Sequence, residues 1–156
     1  MRKLQKGSSP LSGTMMHRRH NIVLHCVFGL LAGCIYLLIE MAWRGHTHWT
    51  MLPLAAVIFL CAGTLDERPK PPPLWLQVVI GTAIATMLEL AAGLILNVWL
   101  GLGVWDYSNL PGNILGQVCP QYTLAWAALM VVAIKLENLM HKIADWILKQ
   151  EKERTG

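Results

Sequence analysis

Residues 74–101 read LWLQVVIGTAIATMLELAAGLILNVWLG, and the only formal charge in the run is Glu89. At about 1.5 Å of rise per residue, a helix from Leu74 to Leu100 is long enough to cross the roughly 30 Å hydrocarbon core of a bilayer. Gly81, Ala85, Glu89, Gly93, Asn97 and Gly101 recur at every fourth position, which gathers small and polar side chains into one slowly drifting stripe. An acidic group at mid-membrane costs about 2.5 to 3.5 kcal/mol on insertion scales, so the stripe is expected to face protein.

The rest of the chain fits the same solvent. Of 156 residues, 54% are hydrophobic and 14% charged, too little polar sequence to cover a water-exposed surface. The apolar residues fall in four blocks, and the expected fold is all-α, a four-helix transmembrane bundle at 21–135 with spans near 21–43, 49–65, 74–100 and 114–135. Residues 1–20 are basic and Ser/Gly-containing, with no periodic apolar face, and predict a disordered cytoplasmic tail. The net charge of +4 does not imply nucleic acid, because the cations follow topology. Arg2, Lys3, Lys6, Arg18 and Arg19 precede the first block, Arg68 and Lys70 separate the second from the third, and Lys142, Lys149, Lys152 and Arg154 follow the fourth. Arg44 alone breaks the pattern, and the positive-inside rule puts both termini in the cytoplasm.

Local signals refine the blocks. Gly29 and Gly33 form a GxxxG pair, read as ordinary close packing. Leu31-Ala32-Gly33-Cys34 has the form of a lipoprotein processing site, but the apolar run beyond Cys34 favours a retained helix. Pro53 suits the first turn of the short second span, and the four prolines within residues 66–73 predict a stiff link. The clean apolar run Leu124 to Ile134 is too short to cross, so the fourth helix is expected to begin near Ile114 and to kink at Pro120. Leu136, Leu139, Met140, Ile143, Trp146 and Ile147 predict an amphipathic cytoplasmic helix at 136–156. Cys26, Cys34, Cys61 and Cys119 lack paired spacing and read as small packing residues.

Candidate chemistry concentrates at one end. Glu89 is the most informative residue, and Glu40 has Arg44 one helical turn on as a partner. Asp106 and Ser108 suit a turn, with Asn97, Asn109, Asn113 and Gln117 near the same rim. His46 and His48 lack further ligands, so no metal site is expected. The sequence holds no phosphate loop, HExxH, GxSxG or dinucleotide fingerprint. Neither an enzyme nor a cofactor is therefore expected, and any ATP hydrolysis belongs to a separate ATPase subunit.

Glu89-Leu-Ala-Ala-Gly93, Asn97 and the stretch Val104-Trp-Asp-Tyr-Ser-Asn-Leu-Pro-Gly-Asn-Ile-Leu-Gly-Gln-Val-Cys119 resemble a family of small bacterial membrane proteins labelled ABC-transporter type IV, permease-like. Ile39-Glu40, Trp43 to Met51 and Trp126 extend the likeness. It implies a multi-pass helical protein of the bacterial cytoplasmic membrane with a part in transport. The chain departs from the pattern at Gly112, where a bulky apolar residue is expected, and at Pro120-Gln121. The leading expectation is a permease-like subunit whose substrate or proton pathway uses Glu40, Glu89, Asn97, Trp105, Asp106, Tyr107, Ser108, Asn113 and Gln117. Four short helices are few to enclose a pathway, so a homo-oligomer or a partner membrane protein is expected besides the lipid bilayer. The alternative is a non-transporting scaffold or regulatory protein whose tail docks a partner. A membrane enzyme using Glu89 and Asp106 is disfavoured, because about 25 Å of straight helix separates them.

Overall fold

The computed structural model describes the backbone of residues 10–66 and 70–155. Four antiparallel helices form an up-down bundle, α1 (Pro10–Arg44), α2 (Met51–Asp66), α3 (Leu74–Gly93) and α4 (Pro120–Thr155), and no strand occurs among the described residues. Three stretches, His25–Arg44, Leu74–Trp99 and Pro120–Ala144, are long and apolar enough to cross a membrane. α2 is shorter, and its apolar part is Met51–Leu65.

α2 touches each of the other three helices. Its Met51, Ala55, Ile58, Phe59, Ala62 and Leu65 are all buried. The three long helices are the reverse, with apolar side chains such as Leu38, Met87, Trp99 and Leu124 more than two-thirds exposed. Large apolar surface outside a bundle whose polar groups point inward is the arrangement that lipid stabilises and water does not.

The stripe on α3 does face protein. Gln77, Gly81, Ala85, Glu89 and Gly93 are its buried residues. A Cβ built on Gly81 would lie 2.6 Å from the Met130 sulfur, so glycine is what lets α3 and α4 approach there. The stripe fades past Gly93: Asn97 is half-buried and Gly101 exposed. Six residues, Leu94–Trp99, are wound as a π-helix, with Leu100 N–H donating to the Ile95 carbonyl at 2.9 Å. Such wider turns often mark functional segments.

Several expectations change. Of the tail at 1–20, residues 1–9 lie outside the described part, and from Pro10 onward the backbone already belongs to α1. The fourth helix starts at Pro120, not near Ile114, and Pro120 does not kink it. Proline disfavours helix for the residue before it and is at home in the first helical position, while Gly112, Leu115 and Gly116 take positive φ. The length that residues 114–119 do not supply comes from the other end. No glycine or proline interrupts α4 after Pro120, and it runs unbroken to Thr155, so residues 136–155 are its continuation and not a separate helix. Leu136, Met140 and Ala144 pack against Phe28, Ala32 and Phe59, whereas Leu139, Ile143, Trp146 and Ile147 stay exposed. Only Cys119 packs in a core cluster, while Cys26 and Cys34 are exposed. The proline link at 66–73 lies partly outside the described residues.

Candidate functional site

α1 and α4 contact each other sparsely, and between them, at the end that carries the Gly101–Cys119 loop, opens a cleft of about 490 Å³. Its walls include Tyr36, Glu40 and Arg44 of α1 and Tyr122 and Trp126 of α4, with Glu89 of α3 and Tyr107 of the loop also exposed to it. The volume falls in the range of about 300 to 1,000 Å³ usual for small-molecule sites. Towards the opposite end the same two helices border a smaller apolar groove over Ala55, Ile58 and Phe59.

Glu89 is 3% exposed, and both carboxyl oxygens are engaged. The Trp126 indole N–H donates to Oε2 at 2.9 Å and the Tyr107 hydroxyl to Oε1 at 3.1 Å. Each donor is itself fixed by stacking, Trp126 on Tyr36 with ring centroids 5.4 Å apart and Tyr107 on Tyr122 at 4.4 Å. Burial, together with the nearby Glu89 charge, pushes the Tyr107 phenol above its ordinary pKa, so Tyr107 remains a donor throughout the physiological range. Glu40 is held differently: Arg44 Nη1 donates to Oε1 at 2.7 Å, and the Thr47 hydroxyl donates to Oε2. Among the described residues Glu40 has a cation on it and Glu89 has only neutral donors.

The loop is a scaffold that delivers Tyr107. Trp105 is buried and its indole N–H donates to the Gln117 carbonyl at 2.9 Å. Asn97 donates to the Gln117 side chain at 2.8 Å and accepts from the Val104 amide at 2.7 Å. Asn113 donates to the carbonyls of Ser108 and Leu110 and accepts from the Gly116 amide. Asp106 is fully exposed and accepts from the Ser108 amide and hydroxyl at 2.8 and 2.5 Å. Those two bonds hold its carboxyl below the usual range. The structure thus brings Glu40, Glu89 and Tyr107 to the cleft and places Asn97, Trp105, Asp106, Ser108, Asn113 and Gln117 in the framework beside it.

A family model described as "putative ABC-transporter type IV" matches residues 20–155. The chain belongs to that family. No curated protein and no solved structure matches it. In this family member, the two departures noted in the sequence are neighbours. Gly112 has φ +70°, and a Cβ there would approach Pro120 Cγ to 3.1 Å, so the small residue and the proline accommodate one another.

Sequence reasoning missed Tyr36 and did not place Trp126 on the acid or Tyr122 on Tyr107. Their spacing carries the signal: Tyr36 lies one helical turn before Glu40, and Tyr122 one turn before Trp126. It also missed His25, Glu137 and His141 at the far end of the bundle, whose ligand atoms all lie within 4.8 Å of one another. His46 and His48 make local contacts, His46 Nδ1 with the Arg44 carbonyl at 3.0 Å and His48 Nδ1 with the Thr50 hydroxyl at 2.8 Å.

Proposed function

We propose that the chain is the membrane-embedded, permease-like subunit of a transport complex and that the cleft between α1 and α4 receives the transported molecule. The observation that carries this reading is Glu89, a buried acid facing a drug-sized cleft with neutral donors and, among the described residues, no cation on it. A ligand with a cationic or hydrogen-donating head fits that charge, and the apolar groove beyond suits an apolar body. The loop end faces outward and the cation-rich end the cytoplasm, in the bacterial cytoplasmic membrane. ATP hydrolysis resides on a separate chain, and a second copy or a partner membrane protein completes the pathway.

The test uses tetraphenylphosphonium as an amphiphilic cation probe and the purified chain in lipid nanodiscs. Binding by the wild type that weakens about tenfold or more in Glu89→Gln, with the neutral analogue tetraphenylmethane failing to compete, supports the reading. Equal binding by both proteins refutes it. Affinity purification in membranes then asks whether an ATPase accompanies the chain.

A scaffold role is the second reading, favoured by the exposed Leu139, Ile143, Trp146 and Ile147 on the continuation of α4. Crosslinking from Trp146 separates the two: a signalling or envelope-assembly protein as the dominant neighbour supports the scaffold.

A further inference from the structure

At the end of the bundle away from the cleft, α1 and α4 meet again through His25, Glu137 and His141. Glu137 and His141 are one turn apart on α4, and His141 Nε2 lies 2.9 Å from Glu137 Oε1. The His25 and His141 rings meet edge-on with centroids 5.5 Å apart, and Phe28 closes the other side of His141 at 5.3 Å. Glu137 is 3% exposed, and its carboxylate occupies space that only a glycine at 63 leaves, since a Cβ there would come within 2.8 Å of Oε1. Three helices therefore shape a confined pocket around an acid and two imidazoles.

We infer that His25, Glu137 and His141 bind one divalent transition-metal ion, linking α1 to α4. Two imidazoles and a carboxylate are a donor set that suits zinc and its first-row neighbours, and three protein ligands leave a coordination position open. With bonds of about 2.0 to 2.1 Å at tetrahedral angles, ligand atoms sit roughly 3.3 Å apart. The 2.9 Å contact and the 4.8 Å bound bracket that spacing, so small side-chain rotations suffice. Each of the three side chains has further partners in the fold, and an ion shares or displaces them. The ion would add a bond between two helices whose backbones approach at few points, the same two whose separation forms the cleft.

The experiment takes the full chain, with any histidine tag removed, in detergent and stripped with a chelator. Zinc alone is titrated by calorimetry, and bound metal is counted after desalting. The expected result is one equivalent per chain and a higher unfolding temperature with zinc. Glu137→Gln and His141→Ala should each weaken binding by at least the about 10- to 100-fold that changes in outer-shell partners cost. A His46→Ala/His48→Ala variant should bind as the wild type does. Cobalt offers an independent readout, because its visible absorption reports ligand geometry even in a variant of reduced stability. Failure of the wild-type chain to take up stoichiometric metal overturns the inference, leaving a histidine-carboxylate pair. Full uptake by a His25→Ala/His141→Ala variant overturns it as well, since the ion would then sit elsewhere.

Discussion

Trp126→Phe removes one donor from Glu89 and leaves a ring to stack on Tyr36, so it isolates the 2.9 Å bond on which the floor of the cleft depends. Hydrogen bonds between membrane helices average about 0.6 kcal/mol in double-mutant cycles, with a maximum near 1.7. Bonds to an ionised group are worth about 1.5 to 3 kcal/mol. Both oxygens of Glu89 receive a donor, as a carboxylate would arrange, so the coupling between Trp126→Phe and Glu89→Gln should fall near the overlap, about 1.5 kcal/mol. The smaller ring also costs packing, but that loss is present with either residue at position 89 and cancels in the cycle. Tyr107→Phe gives an independent cycle with almost no change in shape. The assay is reversible unfolding in mixed micelles, with Trp126→Phe against Asp106→Asn as the control pair, expected to be additive within about 0.3 to 0.5 kcal/mol. Coupling of both donors to Glu89 no larger than the control would refute the claim that the acid is held in place.

Four further outcomes follow from the geometry. Gly81→Ala drives a methyl group into Met130 and should destabilise the chain by about 1 to 3 kcal/mol, partly restored by Met130→Val; chemical unfolding of the single and double variants checks this. Gly112→Ala meets both a positive φ and Pro120, and Pro120→Ala should relieve only the contact, leaving the conformational cost of about 1 kcal/mol or more. Leu115 is a non-glycine residue at φ 53°, so Leu115→Asn should raise the unfolding temperature, Asn being more tolerant of that region. The Asp106 carboxyl is held below its ordinary value, so its stabilisation is complete above the unfolded Asp value of about 3.9 and is lost as the pH falls through the lower folded value. Protection of the Ser108 amide, taken relative to its intrinsic exchange rate, should fall in that acid window in the wild type and not in Asp106→Asn.

The bundle was legible because lipid leaves few choices. Long apolar runs and a stripe of small residues each carry a period or a position that sequence preserves. The burial of Glu89 followed from the same reasoning. What was not legible depended on where one helix stopped. Ending the fourth span at 135 assigned residues 136–156 to a surface helix, and that hid Glu137. In the unbroken α4, Trp126, Met130, Ile134, Glu137 and His141 follow at intervals of three and four, so the acid and the histidine continue the face that carries Met130 and Ile134 of the core. The loop misled in another way. Trp105, Asp106, Tyr107 and Ser108 are adjacent in sequence, but the backbone turns so that Trp105 and Tyr107 are buried while Asp106 and Ser108 face out. Composition alone does not distinguish those two sets.

Arg44, the cation that breaks the positive-inside pattern, shows why the cleft is not neutral. It sits at the loop end within the cleft wall, and its guanidinium is committed to Glu40 at 2.7 Å. That pair neutralises the arginine where it stands. It also leaves Glu89 as the acid without a cation partner among the described residues. An anionic ligand entering the cleft would have to draw Arg44 away from Glu40, uncovering a second carboxylate beside the first. A cation meets no such obstacle: it finds Glu89 already aimed by Trp126 and Tyr107, with the Glu40 pair intact. If Arg44→Gln, which frees Glu40, tightened the binding of an organic cation while Glu89→Gln weakened it, the charge arrangement would be selecting the ligand. Opposite signs would mean that the arginine is the recognition group.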